Sequence, residues 1–154
     1  MAPTRIAFIG SGGTASASEL VINESVPYLD SGVGLIGGNT YGKPVGQIAV
    51  DNTACDDRLR IIVFATQNSV HTGDYYGGLA PVMRATCQAV DDLSHAMGDP
   101  QEALTRQALD FIVGRTCTPI ATATARSLGV EAGRRDLLSL DRPGTAQREV
   151  PGLF

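Results

Sequence analysis

Apolar positions fall in short runs broken by glycine, and the spacing of these runs predicts the elements of the first half of the chain. Residues 4–9 (TRIAFI) are an apolar run ending in Gly10-Ser11-Gly12-Gly13, the pattern of a buried strand entering a tight turn. Residues 14–24 read as a helix that begins near Ser16, because Ser16 and Glu19 have the spacing of a capping box, and that stops near Pro27. A second strand is predicted at 33–36, followed by a loop over 37–44. Residues 45–50 and 59–65 read as further strands, the latter rich in β-branched side chains.

Beyond residue 70 the texture changes. Residues 73–81 form a glycine-containing loop that Tyr75 and Tyr76 are expected to pack. Asp99-Pro100 suits an N-cap and first helical position, and Ala103, Leu104, Ala108, Phe111 and Ile112 make a helical stripe. From about residue 131 Arg, Gly and Pro mix without periodicity, so 131–154 is expected to be a loosely ordered tail. The strand, turn, helix, strand opening implies an α/β domain.

Composition narrows the class. A chain of 154 residues suits one domain, and 43% apolar against 18% charged residues marks globular rather than disordered material. A net charge of −4 argues against a nucleic-acid partner, since phosphate binding needs clustered positive charge. No apolar run approaches the roughly 18 residues that span a bilayer, and residues 1–5 lack the zones of a signal peptide. Cys55, Cys87 and Cys117 form no CxxC pair and have no histidine at ligand spacing, which speaks against zinc. Three buried thiols, or one disulfide and a free thiol in an exported protein, both remain open. Within the second alternative Cys55 with Cys87 is the expected pair, because both flank the same strand-and-loop excursion. Eleven of the twelve basic residues are arginine, so Lys43 is the single lysine. Only lysine can lose its proton near neutral pH when desolvated.

The glycine-rich segments admit three readings. Gly10, Gly12 and Ala15 fit G-x-G-x-x-A after a strand, with Asp30 near the distance of a ribose-binding acid; but that acid should end the second strand, and Asp30 precedes it. Gly37, Gly42 and Lys43 fit G-x-x-x-x-G-K, but Pro44 replaces the Ser or Thr that holds magnesium and removes a backbone donor. The third reading joins both segments. A serine opening a helix after a glycine turn has Oγ exposed beside free N–H groups that can hold an oxyanion, and a desolvated lysine can serve as its base. His71, His95 and the Asp91-Asp92 pair sit in no triad context and read as structural or surface residues. Ser18 is the runner-up nucleophile, about 200° around the helix from Ser16.

The string Gly13-Thr14-Ala15-Ser16-Ala17-Ser18-Glu19-Leu20, with Thr40-Tyr41-Gly42-Lys43 and Gln47, resembles the C-terminal processing (tail-specific) serine peptidases. Residues 74–81 (DYYGGLAP), 87–92 (CQAVDD) and 93–109 are similar to a bacterial branch of exported members, so the resemblance covers roughly residues 4–115. It implies Ser16 as nucleophile, Lys43 as general base made neutral by burial, Gln47 as the residue orienting the lysine, and the Ala17 amide as one oxyanion donor. Glu19 is expected as a cap partner or structural acid. The implied fold is the C-terminal portion of the α/β core shared with crotonases and Clp proteases, spanning residues 1–130. The upstream half, with a PDZ-type module and the second oxyanion donor, is expected to be missing from this chain. The implied activity is endopeptidase cleavage near protein C-termini, with no cofactor and no metal, acting on unfolded or C-terminal polypeptide. The upstream half or a second copy is an expected partner, and export an expected localisation. With one oxyanion donor the isolated chain is expected to cleave slowly or not at all. The competing expectation is a non-catalytic module that keeps the core and only packs or binds. Pro44 departs from the glycine often found after the lysine.

Overall fold

The computed structural model describes residues 3–121. In chain order the elements are β1 (Ile6–Gly10), α1 (Ala17–Leu29), β2 (Val33–Gly37), β3 (Val45–Asn52), β4 (Asp57–Ala65), β5 (Ala85–Gln88) and α2 (Ala103–Ile112), with a single 3₁₀ turn at Asp30–Gly32 between α1 and β2. Strands β1, β2 and β5 form a parallel sheet in the order β1-β2-β5, with Phe8 opposite Leu35 and Ile36 opposite Cys87. Strands β3 and β4 form a separate antiparallel hairpin. The chain is therefore mixed α/β. The tail expected at 131–154 lies outside the described residues.

Alternation along β2 sorts the core into two halves. Val33 and Leu35 face one layer, with Ile22 of α1, Tyr75, Leu79 and Met83, and Phe8, Val26 and Leu29 packed against them. Ile36 faces the other, with Cys87 and with Ala108 and Phe111 of α2. The Phe111 ring needs the bare backbone of Gly34, where an added Cβ would lie 2.6 Å from it. All five residues of β2 are buried, as a central parallel strand covered on both faces must be.

Four expectations need correction. Helix α1 does not stop at Pro27 but carries it inside, running to Leu29. Proline deprives the Asn23 carbonyl of its helical donor, and the Asn68 amide fills the gap, donating to Asn23 O at 3.4 Å and Asn23 Oδ1 at 3.2 Å. Helix α2 starts at Ala103 rather than Pro100, because Glu102 caps it: its carboxylate accepts from Leu104 N and Thr105 N at 2.8 and 2.7 Å. The disulfide joins Cys87 to Cys117, with Cα atoms 5.4 Å apart, while Cys55 is free and exposed. Strand β5, which escaped the pattern reading, carries Cys87 beside residues 117–120: Gln88 N donates to Thr118 O at 2.7 Å and Ile120 N to Thr86 Oγ1 at 3.1 Å. Finally, Tyr75 is buried but Tyr76 is 60% exposed, so only Tyr75 packs the loop.

The hairpin stands apart from both layers. Its paired residues Ile48–Ile61 and Val50–Leu59 share one aliphatic face, and these four side chains are 40–61% exposed. The other face carries Gln47, Ala49, Asp51, Arg58 and Arg60, with Asp51 and Arg58 paired. Among the described residues no helix is long and apolar enough to cross a membrane.

Candidate active site

The turn between β1 and α1 is an elbow. Ser11 N donates to Thr14 Oγ1 and Thr14 N to Ser11 O, folding the glycine-rich run back on itself. Ser16 then adopts φ 53°, ψ −112° immediately before the helix. This region favours glycine, and a residue with a Cβ held there costs on the order of 1–3 kcal/mol. Such strain persists only where the surroundings over-determine it. Here they do: Ser16 N donates to Glu19 Oε2 at 3.0 Å, and Leu20 N to Ser16 O at 2.9 Å. Ala17 is the first helical residue, so its N–H has no partner within the helix.

Glu19 does more than cap. It is fully buried, and its carboxylate also accepts from Gly42 N at 2.7 Å (Oε1) and from Lys43 N at 2.8 Å (Oε2). Removing a carboxylate from water costs several kcal/mol, and three charge-assisted bonds at about 1.5–3 kcal/mol each offset it. A further bond, Tyr41 N to Thr14 O at 2.9 Å, ties the same turn to the elbow. The structure therefore brings the backbone of the Ser16 and Lys43 segments together on one side chain.

On its far side the lysine turn rests on residues 75–80. Asn39 Nδ2 donates to Gly77 O, Ala80 N to Asn39 Oδ1, and Leu79 N to Thr40 Oγ1. Gly42 has φ +89° and leaves 2.3 Å between an added Cβ and Tyr76 O, so only glycine fits. Pro44 is buried at the base of the hairpin, where its carbonyl accepts Thr66 N at 2.9 Å. Lys43 is half-buried and Gln47 is exposed on β3. Among the described residues neither the Lys43 amine nor the Gln47 amide side chain takes a hydrogen bond.

The same geometry bears on the phosphate readings. The Gly42 and Lys43 amides that a P-loop would present to phosphate are spent on Glu19, and a carboxylate already occupies the start of α1. Asp30 pairs with Arg84 at 3.0 Å on the surface. His95 and Ser94 both engage Asp92, and Asp92 and Ser94 meet the same ring nitrogen of His95, at 2.8 and 3.1 Å. A relay needs opposite nitrogens, so this cluster is a local turn. The bonds from Ser94, and then His95, hold the Asp92 carboxyl down to about 2. Ser18 lines a separate recess of about 300 Å³ with Phe8, Ile9 and Val21. A larger open recess of about 510 Å³ lies beyond the carboxyl ends of the parallel strands, among Gly10, Gly12, Gly38, Gln88, Asp91 and Leu104.

The bridging role of Glu19 was not visible in the sequence. S-x-x-E spacing signals the bond to Ser16, but nothing in the string marks Gly42 and Lys43 as its other donors.

No protein-family model matches the chain, and no curated protein sequence matches it. Its fold is similar to the crystal structure of a "Putative S41 protease" from Bacteroides fragilis NCTC 9343, with a TM-score of 0.62 and 26% identity. The match covers 72% of this chain and 28% of that one, so the chain spans little more than a quarter of its neighbour. S41 is the tail-specific, or C-terminal processing, family that the A-S-A-S-E and G-K motifs resemble, so motif and fold point to the same class.

Proposed function

We propose that this chain carries the nucleophile-and-base part of a serine endopeptidase that cleaves near protein C-termini, on a core related to the crotonase and Clp-protease folds. The observation that carries the reading is the strained Ser16 elbow bonded through one buried carboxylate to the Gly42–Lys43 turn. Lys43, as the neutral amine, takes the Ser16 proton while Oγ bonds to the scissile carbonyl carbon. The Ala17 N–H steadies the resulting oxyanion. Collapse breaks the C–N bond as the lysine ammonium returns its proton to the leaving amine, and water, deprotonated by the amine, then releases the acyl group from Ser16. Gln47 orients the amine once substrate or a further chain closes over the exposed start of β3. The substrate is unfolded or C-terminal polypeptide, and no cofactor or metal takes part. The Cys87–Cys117 disulfide supports an exported, oxidising location.

A second reading, a packing or binding module without turnover, is favoured by the Lys43 amine, which makes no hydrogen bond among the described residues. Peptide release from a denatured protein decides between them. Turnover that vanishes in Ser16→Ala, Lys43→Ala and Lys43→Arg supports the Ser/Lys mechanism. Near-normal turnover in Lys43→Arg refutes it, because arginine keeps its proton. Because the isolated chain is expected to cleave slowly at best, the assay is run with the upstream half of the domain supplied. Absence of turnover even then favours the binding module.

A further inference from the structure

We infer that Glu19 is a positioning residue that sets the approach of Lys43 to Ser16, an inference that rests on the Ser/Lys reading above. Its Oε2 atom is shared by two donors, Ser16 N at 3.0 Å and Lys43 N at 2.8 Å. The two amides therefore cannot lie farther apart than two hydrogen bonds allow. Oε1 takes Gly42 N at 2.7 Å, which fixes the roll of the turn that aims the lysine side chain. From the other side the Tyr76–Gly78 backbone presses on Gly42. The turn is held between these two supports, and the carboxylate is the one facing the nucleophile. The side chain is fully buried and touches no reacting atom, so it acts through Ser16 and Lys43 rather than on substrate.

Charge and reach can be separated by substitution. Glu19→Gln keeps one oxygen for the Ser16 and Lys43 amides but turns an NH₂ toward Gly42 N. Glu19→Asp keeps the charge but is one methylene too short to span the elbow and the turn. Positioning therefore ranks Glu above Gln above Asp, whereas a purely electrostatic role ranks Asp above Gln.

The test uses the full chain and a phosphonofluoridate, with Ser16 modification followed by mass spectrometry. In that reaction the Oγ–P bond forms, the P–F bond breaks, fluoride leaves and the serine proton passes to the lysine amine, so no substrate groove is needed. The expected result is a limiting labelling rate about tenfold lower in Glu19→Gln and about a hundredfold lower in Glu19→Asp, with unchanged half-saturation by the reagent. Amide exchange at Gly42 and Lys43 should quicken in the same order. Thermal midpoints, read in parallel, should not account for the ranking. Lys43-dependent labelling in the wild type with equal rates in both variants, or with Asp above Gln, overturns the positioning role alone. Loss of the fold in both variants also overturns it, since Glu19 would then be a requirement of the core. A wild-type Ser16 that labels equally after Lys43→Ala overturns the Ser/Lys reading and this inference with it.

Discussion

Replacing both Cys87 and Cys117 with alanine removes a crosslink that closes 30 residues of sequence. The native structure does not depend on that bond for local geometry, because residues 117–120 are also hydrogen-bonded to β5 through Gln88 N and Ile120 N. The loss should fall mainly on the unfolded state, which regains the entropy of an open loop. For a loop of this length the chain-entropy relation gives about 3.6 kcal/mol at 25 °C. With a urea dependence of about 2 kcal/mol per molar, the midpoint should fall by nearly 2 M. The assay is urea unfolding followed by circular dichroism, comparing the oxidised chain, the chain in reductant and the double alanine variant. The first two share every side chain, so their difference isolates the crosslink, and the denaturant slope should steepen when it opens. Because Cys87 is buried, the alanine variant should lose slightly more than the reduced chain. Midpoints for oxidised and reduced chains within about 0.3 M of each other would refute the reasoning, showing that the crosslink leaves the unfolded ensemble as it was.

Gly34→Ala should lower stability by about 1–3 kcal/mol in the same assay, because its methyl would meet the Phe111 ring; combined with Phe111→Leu, much of that loss should be recovered. Asn68→Ala should cost about 1–3 kcal/mol, since it strips the side-chain donor that reaches the Asn23 carbonyl Pro27 leaves open, and amide exchange along α1 should quicken around Asn23. The Asp92 carboxyl should titrate by NMR at about 2, with His95 and Ser94 shifting in step. Its folded value lies below its unfolded one, so the interaction is present above about pH 4 and is lost as pH falls through about 2. A midpoint near 4 would show that the Ser94 and His95 contacts do not form.

Strand β2 was legible because it is buried, apolar and bounded by glycine, and β1, which is only partly buried, because its apolar run ends in a glycine turn. The elbow was legible because capping-box residues and a glycine run are local signals. What stayed hidden depends on distant partners. Pro27 stops a helix unless another donor reaches the freed carbonyl, and Asn68 comes from far along the chain. Strand β5 is four residues long with Thr86 and Gln88 among them, so its place in the sheet comes from pairing with β2 rather than from pattern. The cysteine pairing followed from that omission, since Cys117 meets Cys87 only once β5 is in the sheet. At the site, the motif residues were legible one by one, whereas the carboxylate that joins them appears only when both turns are folded.

The exposed aliphatic face of the β3–β4 hairpin has a practical consequence for anyone following this molecule in solution. Ile48, Val50, Leu59 and Ile61 present a contiguous apolar strip on a folded ribbon. Dyes such as ANS that light up on apolar surface, usually read as the mark of a loosened core, should therefore bind the fully native chain. Their fluorescence would fall, not rise, when urea dissolves the ribbon, so a dye-based melting curve would run in the opposite sense from the one by which it is normally interpreted.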